Sequence, residues 1–129
     1  MIHYTIDPRH RLIRSVIGGI TTFEDFGDYV YQIILDDRFD PNFDAIITIE
    51  KDFVEKIVAR EIEFKDLIEG YGKFRKGAKW AFILPDETYL PKLENSFAEV
   101  DLNSVRIRFF TTEQDAVDWI GDKTGQPLP

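Results

Sequence analysis

At 129 residues the chain has the length of one domain, and its 43% hydrophobic content, with eleven Phe, is enough to fill a single core without cross-links. It has no cysteine, which excludes disulfides, thiolate zinc sites and a cysteine nucleophile, and fits a cytoplasmic location as the expectation. A net charge of −8 sets most faces against phosphate-rich partners, so no nucleic-acid partner is expected.

The first residues, MIHYTIDPRHRL, lack a basic head followed by an apolar run, so no signal peptide is visible. No apolar run approaches the roughly 20 residues of a membrane span. Residues 2–6 (IHYTI) and 11–17 (RLIRSVI) are rich in β-formers and flank DPRH, where Pro8 suits the second position of a turn. They predict an antiparallel hairpin, ended by Gly18 and Gly19. In TTFEDFGDYVYQIILDD, Phe23, Phe26, Val30, Ile33 and Ile34 share one face of a helix. Thr21 with Glu24, or Thr22 with Asp25, can form its capping box; a phosphate-binding role for these threonines lacks the glycine pattern and the lysine that such loops carry. RFDPNFD is a loop, and Pro41 bars helical continuation.

Residues 45–49 (AIITI) are apolar almost throughout and predict a strand buried on both faces. EKDFVEKIVAR is expected to be irregular. Phe64, Leu67, Ile68, Tyr71 and Phe74 then mark a helix, weakened by Gly70 and Gly72. The one basic cluster, Lys73 to Lys79, follows that helix, where cations offset the negative end of the helix dipole; no aromatic stripe accompanies it as nucleic-acid binding would require.

KWAFIL (79–84) predicts another buried strand. Leu90, Leu93 and Phe97 suit a helix whose start is set by Pro91. VRIRFF (105–110) alternates Val105, Ile107 and Phe109 with Arg106 and Arg108, so one face is buried, one is wet, and the strand lies at or near an edge. In TTEQDAVDWI, Thr111 with Gln114, or Thr112 with Asp115, caps a last helix. Its apolar face is expected from Ala116, Val117 and Ile120, with Trp119 covering the sheet and Gly121 as the stop. Residues 122–129 are expected to form a flexible tail. The order ββ-αβ-αβ-αβ-α predicts a single α/β domain over residues 1–121, with a mixed, mostly parallel sheet, an N-terminal β-hairpin and helices packed on it.

This order, with GGITTFEDF, DDRFDPNFDAIITI, KWAFIL and VRIRFFTTEQDAVDWI, resembles the SpoIIAA-like proteins grouped with STAS and SEC14-type domains, the fold of anti-sigma-factor antagonists. The resemblance covers most of residues 11–121 and rests on packing signatures, none of them catalytic. It implies a STAS-like fold and a regulatory, protein-binding role in a bacterial setting. Phosphorylatable STAS antagonists carry an Asp-Ser step at the start of the helix after the central strand. Here that region, TIEKDFVEKIVAREIEF, has no serine; Ser15, Ser96 and Ser104 lie elsewhere, and Thr48 falls within a predicted strand. The phospho-switch therefore does not carry over.

No catalytic set and no metal set is expected. The two histidines, His3 and His10, sit on the predicted hairpin with nothing to complete a ligand sphere. Glu50 and Asp52 are paired carboxylates after the central strand. They suit a hard cation or acid–base work, or simply a solvated loop in a chain with 24 acids. Parallel strands would gather Glu50, Asp52, Phe53, Pro85, Asp86, Tyr89, Thr111 and Thr112 on one rim, and this rim is the candidate binding site, with Tyr89 and Phe53 as exposed aromatic contacts. Arg106 and Arg108 are interface candidates: they either guard an edge strand or join two copies as a homodimer. The expected function is a non-enzymatic protein-interaction module with an unidentified protein partner and no cofactor. The alternative is an apolar-ligand or lipid binder whose eleven Phe line a cavity.

Overall fold

The hairpin predicted at the N-terminus is present. β1 (Ile2–Asp7) pairs antiparallel with β2 (Leu12–Ile17), Ile2 opposite Ile17 and Asp7 opposite Leu12. Asp7 closes the turn by accepting from the backbone N–H of His10 at 3.2 Å, and Arg11 takes the left-handed conformation (φ 56°) that bends the chain back. The computed structural model describes residues 2–18, 21–72, 78–98 and 105–121. Gly19, the basic run at 73–77 with Phe74, Ser104 and the tail at 122–129 lie outside them, as does the side chain of Tyr71.

β2 is followed by α1 (Phe23–Ile34), β3 (Asp44–Ile49), α2 (Lys51–Ala59), α3 (Glu61–Gly72), β4 (Lys79–Ile83), α4 (Leu90–Phe97), β5 (Arg106–Phe110) and α5 (Glu113–Gly121). The strands lie in the order β1-β2-β3-β4-β5, with β2 to β5 mutually parallel. The chain is thus an α/β protein with a mixed five-stranded sheet, β3 at its centre and β1 and β5 at its edges.

Local chemistry explains the helix ends. Thr22 Oγ1 accepts from Asp25 N–H at 3.0 Å, and the Asp25 carboxylate accepts from Thr22 N–H at 3.1 Å, the reciprocal capping box of α1. Thr112 Oγ1 accepts from Asp115 N–H at 3.2 Å at the start of α5. Pro91 sits in the first turn of α4, where its missing N–H costs nothing. Two expectations are corrected. The segment expected to be irregular is α2, because Phe53, Val54 and Ile57 repeat at helical spacing and all three are buried. On α5 it is Ala116, Trp119 and Ile120 that pack on the sheet, while Val117 faces solvent, 39% exposed.

Sequential strand order with right-handed crossovers sends every connecting helix to the same side. The inner face, carrying Ile13, Ile17, Ile47, Ile49, Phe82 and Phe109, is accordingly covered by residues of α1, α2, α3 and α4. Phe64 of α3 lies at its heart, with ring centroids 5.3 Å from Phe23 and Phe26, and 6.0 Å from Phe53 and Phe82. The outer face has a smaller cluster, Ile46, Ala81, Ile83 and Phe110 from the strands and Ala116 from α5, with Leu12, Trp119 and Ile120 packed against it.

Candidate functional site

The four parallel strands bring their carboxyl ends, and the N-termini of α1, α2, α4 and α5, to one rim. The expected rim residues are there, but most do structural work. Glu50 is the N-cap position of α2 and its carbonyl accepts from the N–H groups of Phe53 and Val54, both at 3.1 Å. Its side chain and that of Asp52 point to solvent at the positive end of the helix dipole, which favours carboxylates there. Phe53 is not a surface aromatic: α2 turns it fully inward, into contact with Phe23, Phe26 and Phe64.

Asp86 and Tyr89 do meet. They border a cleft of about 140 Å³ with Lys51, Val54, Glu55 and Pro85. The Asp86 carboxylate accepts from Thr88 N–H at 2.9 Å. Hydrogen bonds from Thr88, side chain first and backbone second, hold its carboxyl below the usual range, and Lys51 adds to this. Asp86 is therefore a turn carboxylate kept ionised, the opposite of a poised general acid. Thr112 is the α5 cap described above, and Thr111 is half-buried beside it.

The arginine pair is divided. Both side chains are exposed on β5, but the Arg108 guanidinium donates to Glu94 of α4 at 2.9 Å and lies 5.1 Å from the Phe110 ring centre. The second Glu94 oxygen accepts from the Phe109 N–H at 3.3 Å. Glu94 thereby plugs the outer edge of β5, the edge-guarding role that the alternation of arginines suggested. His3 and His10 stand at opposite ends of the hairpin: His3 pairs with Val16 across the strands, and His10 bonds the Asp7 carboxylate at 2.7 Å. Among the described residues no group of three or more His, Cys, Asp or Glu is placed to hold a metal ion.

A second surface comes from the sheet itself. α5 packs mainly over β3, β4 and β5, and reaches β2 only at its margin, through Leu12 and Arg14. Among the described residues nothing covers the rest of the outer face of β1 and β2, a bare strip with a groove of about 240 Å³ and Ile46 at its base. His3 and Thr5 rise from β1, Arg14 and Val16 from β2, and Thr48 from β3. Val16 is 48% exposed on a regular central segment of strand. One wall is fixed by an ion pair from Arg14 to Glu113 in the first turn of α5. The alternation in HYT and LIRSV shows that each strand has one buried and one outward side, but only the spatial order of the strands reveals that the outward sides adjoin and that α5 leaves most of them open.

On the inner side of the same hairpin, Tyr29 of α1 is hydrogen-bonded to Ser15 of β2 in the buried layer. Tyr4 of β1 donates to Asp36 at 3.3 Å. Burial, and then the Asp36 carboxylate, raise the Tyr4 hydroxyl above its ordinary pKa. The Arg38 side chain, bonded to both Asp36 oxygens at 3.0 and 2.9 Å, holds that carboxyl far below the usual range.

No family model, curated protein or solved structure matches the chain.

Proposed function

We propose that the chain is a non-catalytic protein-interaction module of STAS-like type that receives a partner on the bare strip of its outer sheet face. The observation that supports this most is Val16, half-exposed beside the buried Ile46 on a sheet whose neighbouring strands are covered. An apolar side chain held on rigid strands, rimmed by Arg14, Thr5, Thr48 and Glu113, has the composition of a contact patch: a small apolar centre inside a polar border. The resemblance to SpoIIAA-like proteins supports a regulatory role in the cytoplasm, without the phosphorylated serine of that family. The rim residues Asp86 and Tyr89 form a second border of the same module.

The ring-on-ring contacts among the phenylalanines of the inner layer favour this reading over an apolar-ligand binder. A homodimer held by Arg106 and Arg108 would first have to draw Arg108 away from Glu94.

Affinity purification from native lysate with the wild type and with Val16→Glu tests the reading. The variant is expected to keep its thermal midpoint within a few degrees and to lose partners that the wild type retains. Equal recovery of every protein by both would sink it.

A further inference from the structure

The two edges of the sheet are treated differently. β5 is stoppered by Glu94, whereas among the described residues nothing bonds to the outer backbone edge of β1. β1 reads Ile-His-Tyr-Thr-Ile-Asp, with no proline, no lysine and no bulge to keep the edge from pairing, and its one charge, Asp7, is at the turn end and bonded to His10. A row of unsatisfied N–H and C=O groups at strand spacing is complementary to one kind of occupant, another extended chain.

The flank of that edge states which chain. A groove of about 390 Å³ runs between β1 and α1, bordered by Ile2 and Tyr4 below and by Asp25, Asp28 and Gln32 of the helix above. The charged side chains that line it are acidic, Asp25 and Asp28, with the Lys56 ammonium at its margin on the Thr21 carbonyl at 2.8 Å. Asp25 is held ionised by hydrogen bonds from Thr22, backbone first, and the chain as a whole carries −8. A strand added beside β1 would turn every second side chain into this groove and the others toward His3 and Thr5 on the outer face.

We infer that β1 is a docking edge for an extended segment of a partner protein with basic residues at alternate positions, which adds a sixth strand and sets its cations beneath α1 against Asp25 and Asp28. A second copy of this chain fits poorly. A two-fold between β1 strands would put both α1 helices on one side of the joint sheet, each turning Asp28 toward the other across the axis. The inference rests on the chain being an interaction module, but it uses the edge and inner flank, not the strip around Val16.

The test is a titration of the full chain with the labelled peptide Lys-Thr-Lys-Thr-Lys-Thr-Lys, beside a peptide of equal composition with its lysines in one block. Amide hydrogen exchange is followed throughout. The alternating peptide is expected to bind at least tenfold more tightly than the block peptide, to slow exchange within residues 2–7, and to weaken at least tenfold with Asp28→Lys. Asp28 is exposed and outside the capping box, so the helix remains capped in that variant. Equal affinity for the two peptides would mean that only net charge is sensed, and would overturn the inference. So would binding without protection of residues 2–7, or no binding. A peptide-free chain that already sediments as a dimer with β1 protected would give the edge to a second copy and overturn it as well. Loss of peptide binding with the Val16 effect intact would remove the edge and leave the outer strip standing.

Discussion

On the inner face of the sheet Phe64 touches five other rings, whereas on the outer face Phe110 stacks against the Trp119 indole at 5.8 Å and the strip beyond it is open. Four helices cover the first, one covers part of the second. The same strands serve both, because successive residues point to opposite sides, so β2 can bury Ile13, Ser15 and Ile17 while presenting Arg14 and Val16. A sheet covered once and half-covered again separates two duties: most of the buried apolar surface lies on the inner layer, and the smaller outer cluster leaves strand surface exposed beside it.

The sharpest way to break this division is to delete a ring from each layer. Phe64→Ala is expected to cost about 3–5 kcal/mol, because the packed rings around it relax only partly into the void. Trp119→Ala, half-buried on α5, is expected to cost roughly 1–2 kcal/mol: the ring and its contact with the Lys79 ammonium at 5.4 Å are lost, while the backbone carbonyl of residue 119 can still accept from Lys79. Urea unfolding of both variants measures this; equal losses would mean that the outer layer is as much a part of the core as the inner one.

A finer comparison uses the helix caps. Thr22→Ala removes the Oγ1 acceptor of the α1 capping box, leaving only the backbone N–H of residue 22 to donate to Asp25, and is expected to lower stability by about 1 kcal/mol. Thr112→Ala removes a single bond from α5, and its loss should be a few tenths of that. Hydrogen exchange of the first-turn amides separates the two. Faster exchange confined to α5 in the second variant, with the sheet unaffected, would show that the outer helix can fray by itself.

The smallest effect concerns acid. The Asp36 carboxyl titrates below its unfolded value, so its contribution is fully present above about pH 4 and fades as pH falls through the depressed folded value. Asp36→Asn should therefore lower the thermal midpoint slightly at neutral pH, and the two proteins should converge in strong acid. A gap that stays constant from neutral pH to about pH 2 would assign the loss to packing of Tyr4 instead of charge.

Most of the fold was legible because most of its signals are local. The hairpin, the doubly buried runs at 45–49 and 79–84, and the spacing of Phe23, Phe26, Val30 and Ile33 each announce an element over a few residues. α2 was not legible. It has nine residues, three of its apolar positions are β-branched, and only its burial against Phe23 and Phe64 makes a helix the better choice. The same turn of helix explains Phe53, which sequence position places on the rim and α2 rotates into the core. Val117 departs from its expected place for a related reason: Trp119 covers the sheet as expected, its indole reaching Phe110 from the margin of the helix face, and Val117 is left in water. The parallel strands set the acids and threonines on one rim, yet that Thr112 caps α5 and Asp86 closes a turn depends on which N–H lies within reach of each. The bare strip is a property of strand order, and no single segment records it.

Strand order has one more consequence, which concerns synthesis. Because each strand lies beside the one made before it, a chain leaving the ribosome never has to part an existing seam to admit a later strand. The sheet can grow in one direction, hairpin first, with the newest strand always at the moving margin and β1 as the permanent one. The outer layer comes last: α5 is the final described element, so the nascent sheet shows its outer side until those residues emerge, and the strip around Val16 is the part of that side that no described residue covers.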